Sequence, residues 1–111
     1  MPLLPTEKIV ESGLIATYTA ADVGGDTFTN DGRTVLHVKN GSGSPITVTV
    51  TAEQATTDKP GYGSLTKANA VAVIAAAGDE FMGEFPAIAF GVVGVVTYSD
   101  VTTLTLAVLR I

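Results

Sequence analysis

Residues Ile46-Thr-Val-Thr-Val-Thr51 alternate without a break between an aliphatic side chain and a threonine. Successive side chains of a β-strand point to opposite faces. The run therefore has one face of Ile46, Val48 and Val50 and another of Thr47, Thr49 and Thr51. A helix, with its period of 3.6, would scatter the same residues around its axis. The preceding stretch, Thr34-Val-Leu-His-Val-Lys39, reads in the same way, with Leu36 and Val38 on one side and Val35 and His37 on the other. Between the two lies Asn40-Gly-Ser-Gly-Ser44, rich in turn formers, and Pro45 stands at a strand start, where a missing N–H does least harm. We expect the two strands to form a hairpin whose aliphatic side builds a core.

The rest of the chain repeats this idiom. A first strand is expected over Leu14 to Ala20, then a turn over 21–26, a short extended piece from Thr27 to Asn30, and a tight turn at Asn30-Asp31-Gly32. Val71 to Ala76 reads as a strand of small residues. Glu80 to Phe85 alternates, with Phe81, Gly83 and Phe85 expected inward, Glu80, Met82 and Glu84 outward, and Pro86 ending the strand. Phe90 to Tyr98 carries Val92, Val93, Val95 and Val96 on both faces, which predicts a central or doubly covered strand, while Gly91 and Gly94 mark close packing or a bulge. Ser99-Asp100 makes a turn and Thr103 to Ile111 closes the chain as a strand. Residues 53–69 form the longest irregular stretch, with Tyr62 between two glycines either as an exposed contact or as a cover for one end of the core.

The expected class is all-β: an antiparallel β-sandwich or small barrel, jelly-roll-like, of about eight strands, with an extended N-terminal arm. The arm is residues 1–12 and the single sandwich domain residues 13–111. Pro2 and Pro5 keep the arm extended. Its apolar residues Leu3, Leu4, Ile9 and Val10 are too few for a core, so they dock either on their own domain or on a neighbouring subunit.

Charged residues make up only 15% of the chain and hydrophobic ones 46%, where an ordinary soluble domain carries about 25% charged. This shortage of surface charge points to a surface partly buried against other subunits. Six lysines and arginines against eleven aspartates and glutamates give a net charge of −5, which argues against binding nucleic acid or an anionic membrane. The chain has no cysteine, so it forms no disulfide and no thiolate metal site. Residues 1–8 lack the basic start and long apolar run of a signal peptide, and the longest apolar run, Ala70 to Ala77, falls short of the ~20 residues that a spanning helix needs.

No pattern of catalytic residues stands out. His37 is the single histidine, and no serine, cysteine or acid lies near it in a pattern that makes a triad or a metal site, so a surface or interface histidine is expected. Asp22, Asp26, Asn30 and Asp31 offer oxygen ligands of the kind that bind calcium. Their spacing does not match an EF-hand, and such residues in turns commonly bond their own backbone. Glu80 and Glu84 would lie ~13 Å apart along one strand face, too far for paired carboxylate chemistry. No cofactor is expected, and the chain is not expected to be an enzyme.

Asp31-Gly-Arg-Thr-Val-Leu-His-Val-Lys-Asn40, Ile46-Thr-Val-Thr-Val50, Gly78-Asp-Glu-Phe-Met-Gly-Glu-Phe-Pro86 and the closing Val96-Thr-Tyr-Ser with Leu106-Ala-Val-Leu-Arg-Ile111 together resemble small auxiliary head proteins of tailed bacteriophages, the decoration or cement proteins. The resemblance covers about residues 26–111 and leaves out the arm and the 53–69 loop. It implies a virion protein on the outer capsid surface that binds the major capsid protein, bridges capsomers and forms a homotrimer. The expected contact residues are Leu3, Leu4, Ile9 and Val10 of the arm, and Val35, His37, Thr47, Thr49, Thr51 and Tyr62 of the hairpin face and loop. Two other classes remain. A head–tail or tail-tube component would form rings of fixed number. A carbohydrate-binding sandwich would need exposed aromatic rings, and this chain has no tryptophan and only Tyr18, Tyr62 and Tyr98 as tyrosines.

Overall fold

The strand Ile46–Val50 keeps its alternation in the computed structural model, but it does not pair with the strand before it. The structure describes residues 2–52, 56–59, 61, 63–66, 68–83, 85, 90–91 and 93–110, with the backbone alone for 56–59 and 63–66. In chain order the described strands are β1 (Thr6–Lys8), β2 (Thr19–Ala20), β3 (Asp26–Thr29), β4 (Thr34–Asn40), β5 (Ile46–Val50), β6 (Thr56–Lys59), β7 (Gly63–Thr66), β8 (Ala70–Ile74), β9 (Asp79–Met82), β10 (Val93–Tyr98) and β11 (Leu104–Arg110).

A front sheet runs in the order β3-β10-β5-β8, and a back sheet runs β1-β11-β4-β9, with β2 also on β11. Every pairing in the two sheets is antiparallel except β1 on β11. From β2 onward the chain enters the sheets in the order back, front, back, front, front, back, front, back, if the small β6–β7 hairpin is set aside. That is the path of a jelly roll, a two-sheet sandwich of eight antiparallel strands.

The expected hairpin is therefore corrected. Both edges of β4 are occupied, by β11 and by β9, so no edge is left for β5. The loop between β4 and β5 instead carries the chain across the sandwich. The buried Asn40 anchors this crossing: its side-chain amide donates to the carbonyls of Ser44 (2.8 Å) and Ile74 (3.1 Å), tying the end of β4 to the end of β8 in the other sheet. Leu36 and Val38 then face Ile46, Val48 and Val50 from opposite sides of one core, all of them fully buried. Each such side chain contributes ~1.5–3 kcal/mol by leaving water. Phe28, Ile74, Val96, Leu104, Leu106 and Val108 complete the centre.

Three other expectations are corrected. First, β9 has the opposite phase. Its register sets Phe81 beside His37 and Met82 beside Leu36, so Met82 is buried and Phe81 is 64% exposed. Phe85 is also buried, three residues on, which a strict period of two forbids. Gly83 resets the phase: its φ of +138° is open to glycine, and a Cβ there would meet the Thr34 carbonyl oxygen at 2.8 Å. Second, only Thr19–Ala20 of the expected first strand is paired, while the arm supplies a strand of its own, Thr6–Lys8. Third, the stretch 53–69 contains the β6–β7 hairpin, so it is not an irregular loop; Tyr62 lies outside the described residues, as do Glu84, Pro86 and Val92.

The expectation for β10 is met. It lies inside the front sheet between β3 and β5. Gly94 faces the core directly opposite Phe28, and a Cβ on it would lie 2.2 Å from the ring. The close packing expected there follows from that contact.

Candidate interaction surfaces

The sandwich has two outer faces, and β4 and β5 send their non-core residues to different ones. The expected single surface of Val35, His37, Thr47, Thr49 and Thr51 is thus split: Val35 and His37 lie on the back face, the threonines on the front.

On the front face the registers place Thr97 beside Thr49 and Thr49 beside Val71, Thr47 beside Val73, Val95 beside Thr27, and Val93 beside Thr29. Thr51 continues the row, its N–H bonded to the Val95 carbonyl at 2.9 Å. Every one of these outward side chains is threonine or valine, and Val71, Val73 and Val93 are more than half or about half exposed. A shallow hollow lined by Thr51, Phe90, Val93 and Val95 opens at one end. β-Branched side chains have few rotamers, so the face is stiff as well as uncharged. Thr47, Thr49 and Thr51 were readable as part of it. The valines and Thr27, Thr29 and Thr97 were missed as members, because only strand pairing brings them alongside.

The back face is different. His37 is buried, 8% exposed, and both ring nitrogens are engaged. Its Nδ1 is 2.6 Å from the Tyr18 hydroxyl, and its Nε2 is 2.7 Å from Asp79 Oδ2. A carboxylate accepts only, so Nε2 donates to Asp79, and Nδ1 and the Tyr18 hydroxyl share the second hydrogen bond. Phe81 stacks on the imidazole with centroids 4.0 Å apart and planes within 6° of parallel. Lys39 holds its ammonium 4.0 Å above the Tyr18 ring. The expectation of no acid near His37 holds in sequence only: Asp79 is 42 residues away in the chain and Tyr18 is 19. No local pattern announces either. The β4–β9 register, with His37 opposite Phe81 and Lys39 opposite Asp79, assembles the cluster. Tyr18 meets it by docking the segment that leads into β2.

The arm docks on its own domain. Leu4 is 3% exposed and belongs to the core cluster, so it is not free for a partner while the arm is seated. Leu3, Ile9 and Val10 stay exposed. The turn acids are engaged with their surroundings. Asp26 is buried and accepts the Tyr98 hydroxyl at 2.6 Å and the Asp22 N–H at 3.1 Å. Burial first, and then the Asp26 carboxylate, push the Tyr98 hydroxyl well above its ordinary pKa, so it stays protonated. Asn30 bonds Gly91 and Gly32, and Asp31 takes the Arg33 N–H and an ion pair with Arg110. The Arg33 N–H foremost, helped by Arg110, holds the Asp31 carboxyl below the usual range. Among the described residues, no three histidine, aspartate or glutamate side chains converge as a metal site would need. Comparison of the chain with protein-family models, with curated proteins and with solved structures returned no match, so its surfaces are the basis for any functional reading.

Proposed function

We propose that the protein is a non-enzymatic decoration protein of a tailed-phage head, which sits on the outside of the capsid and docks on the major capsid protein through its front face. One observation carries the reading: in a chain with a net charge of −5, a whole sheet face of ten outward positions, Thr27, Thr29, Thr47, Thr49, Thr51, Val71, Val73, Val93, Val95 and Thr97, bears no charge. An antiparallel sheet that faces water on one side ordinarily mixes polar and charged residues there. The face has no charge to desolvate, its threonine hydroxyls can hydrogen-bond a partner, and the stiffness of β-branched side chains keeps the entropy cost of docking low.

Magnitude decides how such a face works. Four strands at ~4.8 Å spacing and about five residues at ~3.3 Å rise give a patch of about 300 Å². A standard specific interface buries about 800 Å² on each partner. One face alone therefore binds weakly, and firm attachment comes from several copies acting together, as a homotrimer on a repeating lattice provides.

The test is direct. Heads assembled without the protein are incubated with purified protein, sedimented, and imaged by electron microscopy. Regular added density on the outer surface is the expected result. Protein that stays in the supernatant, or that is missing from purified virions by mass spectrometry, defeats the proposal.

A further inference from the structure

Residues 2–8 are an addition to a roll that is already complete. Strands β2, β11, β4 and β9 with β3, β10, β5 and β8 make the full eight-strand jelly roll, and among the described residues β1 is the one parallel partner in its sheet. Yet the arm has a well-made seat. Thr6, Glu7 and Lys8 pair with Val108, Leu109 and Arg110 on the edge of the back sheet. Ahead of them Leu3 bridges to Thr27 on the edge of the front sheet. There the Leu4 N–H donates to the Thr27 carbonyl and the Thr27 N–H to the Pro2 carbonyl, both at 2.8 Å. The arm thus spans the two sheet edges on one side of the sandwich, and Leu4 closes the gap between them.

These bonds are almost all main chain to main chain, so an identical arm from another copy satisfies them equally. The link allows it. Lys8 and Thr19 sit opposite Arg110 and Leu106, four residues apart on β11, a separation of ~13 Å. Residues 9–18 can reach ~35 Å when extended. The link is also poorly covered: Ile15 is 95% exposed, and Ile9, Val10 and Leu14 are exposed too. Four apolar side chains on a connector favour any arrangement that packs them.

We propose that residues 2–8 exchange between two copies of this chain, each arm seating on the partner's β11 and β3 edges. Exchange conserves every bond of the seat, so concentration governs it: dilute chains close on themselves, and crowded ones clasp each other. This inference does not rest on the capsid reading and is tested without capsids.

The chain has no cysteine, which makes cross-linking clean. Leu3 and Thr27 are bridge partners, within reach of a disulfide, and neither is in the core. Leu3→Cys and Thr27→Cys are made as separate variants, mixed at high protein concentration, and oxidised. Exchange predicts a mixed disulfide dimer, identified by mass spectrometry, several-fold above the homodimers each variant forms alone. In the Leu3→Cys, Thr27→Cys double variant, it predicts closed monomers when dilute and linked dimers when concentrated. A mixture that yields no excess of mixed dimer, with a double variant that closes within one chain at every concentration, overturns the proposal.

Discussion

The front and back faces of this sandwich begin from the same kind of strand and end with opposite characters. On the back face the outward residues of β4 meet Tyr18, Asp79 and Phe81, and every hydrogen-bonding group of His37 finds a partner inside the chain. On the front face the outward residues of β5 meet uncharged neighbours, threonine and valine along the strand with Ser99 and Phe90 at its two ends. The lesson is that a polar residue on a sheet face can mark a site the protein has already filled. A run of bland residues can mark one it has left open. The back cluster draws attention because it looks like chemistry, and its geometry accounts for it as a fastening for the segment before β2. The front face draws none, and it is the surface that needs explaining.

The comparison is broken most severely from behind the front face. On its core side the front sheet holds Phe28 lying against Gly94, so Gly94→Ala must displace a fully buried ring. Overpacking of this kind costs about 3 kcal/mol at its upper end. We expect a urea midpoint lowered accordingly, or a chain that fails to fold. A variant of wild-type stability would mean that the sheet can yield, and a stiff docking platform would lose its basis.

On the back face, His37→Ala removes two hydrogen bonds and a ring stack and leaves the Tyr18 hydroxyl and Asp79 without their common partner. The expected loss is about 2 kcal/mol. If the cluster is a fastening, hydrogen exchange of residues 14–20 should speed up while attachment to capsids stays intact. Lost attachment with unchanged stability would reassign the back face as the contact surface.

These two variants also measure how far the sequence could be read. The inner residues of β4 and β5 were legible because strict alternation under a hydrophobic core admits a single phase. The pairing of those strands was not, since alternation says which side is buried and nothing about which sheet. A loop of five residues serves a hairpin and a crossing equally, and the deciding contacts, Asn40 to Ile74 and β4 to β9, are long-range. The phase of β9 failed for a local reason, the left-handed backbone of Gly83, which breaks the count between Met82 and Phe85. Of the candidate contact residues, the threonines were visible in sequence. The neighbours that make them a surface depend on registers that no single segment encodes.

A smaller effect tests why no charge shows at the end of the front face. Asp26 is the acid in β3, and it points inward, where Tyr98 covers it. Tyr98→Phe should cost about 1.5 kcal/mol near neutral pH, the worth of a hydrogen bond to a charged group. The sign with pH follows from the raised pKa of Tyr98. Its contribution is fully present below the unfolded tyrosine value of about 10 and is lost as pH rises beyond it. There the unfolded chain gives up the proton while the folded chain keeps it. The wild type should lose about 1.4 kcal/mol per pH unit relative to the variant above about pH 10. Urea midpoints of both proteins up to about pH 11 should converge, and a constant gap would show that the Tyr98 hydroxyl is not held protonated by the fold.

The smallest change in stability should have the largest consequence for function. Thr49 lies in the middle of the front face between Thr97 and Val71, and its side chain points away from the core. Thr49→Lys gives up some β-propensity and no packing, a cost below about 1 kcal/mol, so the fold and the melting point should barely move. Docking is another matter, because a lysine at the centre of a dry contact must lose its water without gaining a partner, which costs several kcal/mol. Capsid occupancy should fall to background in the sedimentation assay. The matching substitution on the other face, Val35→Lys, should leave occupancy unchanged, since Val35 pairs with Leu109 on the back sheet. If both variants bound alike, the uncharged face would be only a surface that evolution never decorated. If only the back variant failed, the two faces would exchange roles, and the distinction between a filled site and an open one would have to be drawn the other way round.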